Sequence, residues 1–289
     1  MNGFRPLWRI PGIVARERFH PAGRERIPEP MVMDDPESVA QFHAAGASNP
    51  GIRAVYDFGS RALDALLPPG GRLLDLGVGS GRALTAVLRR RPDLDVTAVD
   101  LAPNMLATAR DLITAEGFEQ RVELVQADIT ALPDRLVMGA WDGVSCMWTL
   151  HQLPDFDSLR AALRQIAYVR RHCGAAIWIS DFQRLRNPST PAAMLRCVDP
   201  SITAIAYKDA IASEAAAFTH AELSSELAAA GLGEMKCGFA RPLPYLHAYW
   251  MRAAGAKASA SLGVRLPPLP GPARRDAALL RSLFTAKPF

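Results

Sequence analysis

The ten residues Leu73 to Arg82, LLDLGVGSGR, confine this chain to few folds. An apolar run ends in Asp75 and breaks into Gly77, Gly79 and Gly81, and the stretch from Ala83 to Arg90 favours helix. That order reads as a buried parallel strand, a glycine turn and a helix N-terminus. Side chains in the turn would hold a ligand away from the backbone. Free N–H groups at the helix start offer donors to a polar or anionic group. A tight connection without any ligand would satisfy the same ten residues, so the segments that follow decide between the two.

A second strand, Val96 to Asp100, ends in a carboxylate 19 residues after Gly81. An acid at that strand tip lies beside the turn and can accept both hydroxyls of a ribose; a plain exposed strand-end Asp is the alternative. A third strand, Val122 to Ala127, ends at Asp128, placed to meet an adenine amino group. A fourth, Trp141 to Met147, leads into a polar stretch that opens a substrate side. Some seventy residues precede the turn, whereas dinucleotide folds usually begin near it.

In this order the segments resemble the class I S-adenosylmethionine-dependent methyltransferases. The matching stretches are DLGVGSG (Asp75 to Gly81), VDLAPNML (Val99 to Leu106), ADIT (Ala127 to Thr130) and WDGVSCMWTLHQLPD (Trp141 to Asp155). The likeness covers roughly Arg72 to Arg252. A narrower one, to bacterial small-molecule methyltransferases, rests on RIPEPMVMDDPESV (Arg26 to Val39), SDFQRL (Ser180 to Leu185) and ASEAAAFTHAEL (Ala212 to Leu223). The resemblance implies an α/β, Rossmann-like class I fold. Its sheet has seven mostly parallel strands with the last one antiparallel, helices on both faces and an N-terminal helical cap.

The cofactor implied is S-adenosylmethionine. Gly77, Gly79 and Gly81 would admit its backbone contacts, Asp75 would meet its amino group, and Asp100 would hold its ribose. Leu101 and Met105 would pack on adenine, with Asp128 and the backbone of Ile129 along the ring edge. Core packing is the alternative for Leu101 and Met105, and a structural strand-end role for Asp75. Methyl transfer is an in-line displacement, so alignment does most of the work, and a base helps only when the nucleophile arrives protonated. His151 is the candidate base, because it follows the fourth strand where the methyl group should point. Related sequences often carry a second His after it; here Gln152 stands instead. A histidine bonded to loop backbone is the plain alternative. Trp148 is a candidate wall of the methyl pocket. Asp181 and Arg184, at the end of the fifth strand, are candidate substrate contacts, Arg184 for a carboxylate; a solvated surface arginine is its plain alternative.

Composition bounds the remaining choices. The 289 residues are 49% hydrophobic, enough for one core of about 200 residues with terminal extensions. No uncharged apolar run reaches the roughly 18 residues of a membrane span, and the Arg- and Pro-rich start lacks a signal peptide's apolar centre, which points to a cytoplasmic protein. Net charge is +4, with 29 Arg against 4 Lys, but the arginines are scattered and form no nucleic-acid stripe. Cys146, Cys173, Cys197 and Cys237 lie far apart without metal spacing, so no metal is expected.

The chain divides into a leader with two cap helices (1–68), a core (69–252) with a lid at 182–217, and a C-terminal extension (253–289). The expected activity is methyl transfer to an N, O or C nucleophile of a small molecule. An enzyme cyclising S-adenosylmethionine itself and a non-catalytic binder of it are alternatives, and a nicotinamide oxidoreductase is a remote one. A homodimer through the leader or tail is left open.

Overall fold

The computed structural model describes residues 7–289 except 22, 31–32, 200–201, 256–262 and 265. Seven strands, β1 (Arg72–Leu76), β2 (Asp95–Asp100), β3 (Val122–Gln126), β4 (Gly143–Met147), β5 (Ala176–Phe182), β6 (Lys236–Phe239) and β7 (Leu246–Met251), form one sheet. Their order is β3-β2-β1-β4-β5-β7-β6, and β7 alone runs antiparallel to its neighbours. The expected sheet is present. The chain reverses direction of travel across the sheet between β1 and β4, and open α/β sheets bind ligands at the strand C-termini beside such a switch point.

Alternation along the strands feeds two cores. Leu74 and Leu76 of β1 face one, and Leu73 faces the other. On the first side pack α6 (Asp134–Val137), α7 (Phe156–Cys173) and α10 (His220–Ala229). On the second lie α3 (Pro50–Leu66), α4 (Arg82–Arg90), α5 (Pro103–Ala115) and α11 (Gly271–Leu283). α10 begins with a capping box formed by Thr219 and Glu222. The three arginines that end α4 do more than complement its dipole. Arg91 is fully buried, bonding Asp93 and the carbonyls of Leu67 and Pro68, so it ties the helix end to the approach to β1.

Four further helices cover the strand C-termini. α1 (Ile10–Arg18) falls inside the leader, where no helix is expected from the sequence; Pro11 sits in its first turn, where the missing N–H costs nothing. α2 (Pro36–Ser48) is capped by Asp35 and leads directly into α3, capped by Asn49. The long segment after β5 carries α8 (Thr190–Val198) and α9 (Ala204–Ala216). At the other end of the chain, Phe284 bridges to Ala240 and stacks 4.5 Å from Phe58 of α3, burying a ring worth about 1.5–3 kcal/mol.

Candidate functional site

At the β1–β2 end the site is built from backbone. All three turn glycines adopt positive φ, between 53° and 78°, yet each is required for a different reason. A Cβ on Gly77 would fall 2.1 Å from the Thr149 hydroxyl, and one on Gly81 would press at 3.2 Å on Ala109 of α5. Only Gly79 faces open space, with the Phe42 ring of α2 at 3.7 Å. Gly77 and Gly81 thus admit a loop and a helix as well. Asp100 accepts from the Gly79 amide at 2.7 Å and the Ala102 amide at 3.0 Å, which fixes its carboxylate beside the turn. Burial pushes its pKa up, against the opposing pull of these amide bonds.

Met105 is buried, packed with Ala102 on Val39, Met33 and Phe42, while Leu101 is half-exposed. Ile129 is buried among the core side chains on the α7 face, and the half-buried Asp128 accepts from the Thr130 amide. Asp75 lies deeper, 3% exposed, and accepts from Ser145 of β4. Burial raises its pKa to about 6. The leader reaches this end too: Asp34 accepts from the Asn104 amide at 2.7 Å, capping α5, whose own N-cap residue Ala102 contributes no side-chain bond.

At the β4–β5 end the site is built from side chains. Trp148 has φ of 59°, a left-handed conformation rare for a large side chain, and such strain gathers at functional sites. Its amide donates to Ser180 and its ring meets Phe182 edge-on at 4.8 Å. Thr149 touches the glycine turn, so the two ends of the site adjoin there. His151 is 4% exposed, and its Nδ1 lies 2.6 Å from Asp181, which also accepts the His151 amide at 3.0 Å. Asp181 thereby holds the proton on Nδ1 and makes Nε2 the nitrogen that titrates. Burial alone would lower the His151 pKa. The charge and hydrogen bond of Asp181, then Glu29 and Asp209, outweigh it and leave the group above its ordinary value. Across the β5–β7 pairing, buried His247 has no hydrogen-bond partner among the described residues, and burial pulls it down to about 4.

Two expected substrate contacts find other roles. Asp181 is engaged by His151 and by the Phe182 amide, so it positions the histidine. Arg184 is 5% exposed; its guanidinium bonds Glu222 and the carbonyls of Arg24 and Ala217, and ties the segment after β5 to the leader. Sequence reading missed Glu29 in the leader, 4.0 Å from His151 Nε2, and Asp209 of α9, which acts on the same imidazole. It also missed Arg26, which donates to the carbonyls of His151, Leu153, Pro154 and Ala216. The RIPEP stretch was the available signal, but nothing in its spacing marks which residue turns inward. Among the described residues no cluster of three or more metal-ligating side chains occurs, and no helix is long and apolar enough to cross a membrane.

Comparison with known proteins agrees with this geometry. Residues 73–174 match the family model described as a methyltransferase domain. The phosphatidylethanolamine N-methyltransferase of Cereibacter sphaeroides is 31% identical over 146 residues, covering 47% of this chain and 67% of that protein. The demethylmenaquinone methyltransferase of Thermus thermophilus is 35% identical over 107 residues, 37% of this chain and 47% of that one. The chain spans about half, or less, of most curated relatives it matches. In fold, an O-methyltransferase family protein from Burkholderia thailandensis superposes with a TM-score of 0.51 at 20% identity, covering 86% of this chain and 70% of that one. Turn, strand-end acids, strand order and matched segment thus agree, and the chain belongs to the class I S-adenosylmethionine-dependent methyltransferases.

Proposed function

We propose that this protein transfers the methyl group of S-adenosylmethionine to a protonated nitrogen, oxygen or carbon nucleophile of a small molecule, with His151 as general base. The observation that carries the reading is the buried His151–Asp181 pair, set two residues beyond the contact between Thr149 and the glycine turn. S-adenosylmethionine supplies an electrophilic methyl group on a sulfonium.

The residues of the β1–β2 end fit that cofactor by their own chemistry. Gly79 leaves room for a close approach, and the buried Ser80 hydroxyl in the same turn has no hydrogen-bond partner among the described residues. Asp100 keeps acceptor capacity beyond its two amide bonds, since a carboxylate has about four acceptor sites. It would hold the ribose, with Met105, Leu101 and Ile129 beside the adenine, Asp128 at its amino group and Asp75 beneath the methionine arm.

The chain's own part in the reaction is placement and proton movement. Trp148 and Phe182 wall the space next to His151 and keep water from it. With Nδ1 held by Asp181, Nε2 is the atom that takes the acceptor's proton. Arg26 and α9 close the acceptor side over this point. A cytoplasmic setting fits the four free cysteines.

Calorimetric titration with S-adenosylhomocysteine tests the reading. Wild type should bind in the micromolar range, and Asp100→Ala should weaken binding by roughly tenfold or more, the loss expected for hydrogen bonds to a charged group. Absence of binding to folded, ligand-free wild type would overturn the proposal.

A further inference from the structure

Three carboxylates converge on one imidazole, and only one of them bonds it. Asp181 is engaged by the Nδ1 atom and two backbone amides. On the other side of the ring, Glu29 stands 4.0 Å from Nε2, beyond hydrogen-bond reach, with its second oxygen accepting from Ser213. Asp209 has no hydrogen-bond or ion-pair partner among the described residues, and its charge is felt by both His151 and Glu29. His151 itself is 4% exposed, and its Nε2 makes no hydrogen bond among the described residues.

The cations nearby do not supply one. Arg26 donates to four carbonyl oxygens, Arg24 pairs with Glu214, and Arg184 pairs with Glu222. Burial pushes both Glu29 and Asp209 up, so each is held at a cost that a bound cation would relieve. Aromatic rings complete the setting: Phe182 lies edge-on to His151 at 5.3 Å and Trp148 adjoins Phe182. Carboxylates beside aromatic rings are the environment in which an ammonium group binds.

Building on the methyl-transfer reading above, we infer that the acceptor is a cationic amine, its ammonium received by Glu29 at the Nε2 face of His151, with the charge of Asp209 adding to the attraction. The chemistry balances without another reactant. His151 Nε2 takes one proton from the ammonium and becomes imidazolium. The freed nitrogen lone pair then forms the N–CH3 bond as the S–CH3 bond breaks, and sulfur keeps that electron pair. The product is a methylated ammonium plus S-adenosylhomocysteine.

The test uses the full-length protein saturated with S-adenosylhomocysteine at neutral pH. It is titrated with 2-phenylethylamine, 2-phenylethanol and phenylacetate, three probes of one shape and positive, zero and negative charge. The amine should bind at least about tenfold tighter than phenylacetate, and Glu29→Gln or Asp209→Asn should narrow that gap to about threefold or less. Both substitutions keep side-chain volume and should leave S-adenosylhomocysteine affinity unchanged, which also reports that the variant is folded. An amine that binds no tighter than phenylacetate, including binding by neither, overturns the inference. So does a preference that survives both substitutions. Failure of S-adenosylhomocysteine itself to bind would instead remove the methyl-transfer reading on which the inference stands.

Discussion

The two halves of the site are made of different materials. At the β1–β2 end the fixed groups are amides of a glycine turn and carboxylates that end consecutive strands, all within residues 75 to 129. At the β4–β5 end they are side chains of Arg26, Glu29, His151, Asp181 and Asp209, gathered from the leader, the loop after β4, the end of β5 and α9. A backbone-built end tolerates changes in its surroundings, because the turn conformation carries the donors. A side-chain-built end depends on each supporting contact, because a charge in low dielectric is governed by its nearest neighbours.

Substitutions can break that contrast or sharpen it. The largest effect is expected at His151→Ala, which should lower kcat by about 10²–10⁴-fold, the span of general-base catalysis. S-adenosylhomocysteine affinity should stay within about twofold of wild type if the two ends are independent. Parallel calorimetry and steady-state kinetics would show it, and an equal loss in both would erase the distinction.

Asp181→Asn should come next. It removes the charge that holds His151 above its ordinary pKa, so the ascending limb of the kcat profile should move to lower pH. The plateau should fall by roughly 10–100-fold as the base weakens and loses its orientation. A limb that moves to higher pH would exclude His151 as the titrating base.

Asp75→Asn probes stability at the other end. Its pKa of about 6 exceeds the unfolded value, so the ionised form opposes folding at pH 7, by about 3 kcal/mol at most. That penalty fades as pH falls through 6 toward 4, because the folded state then takes up the proton. The variant should therefore melt higher than wild type at pH 7.5, and the advantage should shrink by pH 4.5 while S-adenosylhomocysteine binding weakens. Thermal melts across that range give the result.

The smallest effect belongs to Asp34→Ala, which removes a cap supplied from outside the helix. It should cost about 1 kcal/mol in denaturant unfolding.

The legibility of the chain follows the same division. The turn, the order of strands and the acid tips could be read because glycine, alternation and strand-end carboxylates are local signals. Two cap helices before the core are expected at Asp35 to Ala45 and Ile52 to Leu67, and they stand at Pro36–Ser48 and Pro50–Leu66. Asp181 and Arg184 could be placed at the cleft by topology, but not their partners. Whether a strand-end Asp meets a substrate or a histidine 30 residues earlier depends on the loop between β4 and α7. Arg184 looked like a free cation because its partner Glu222 and the Arg24 and Ala217 carbonyls come from three other segments. Glu29 and Asp209 left no periodic trace. One sits in irregular chain, and α9 is apolar around much of its circumference.

The leader joins these unlike halves by its two anchors. Arg26 and Glu29 fasten it at the histidine, and Asp34, a few residues on, fastens it at the start of α5. Whatever coupling the leader carries between the two ends is reciprocal: the factor by which one ligand changes the other's affinity is the factor by which its own is changed.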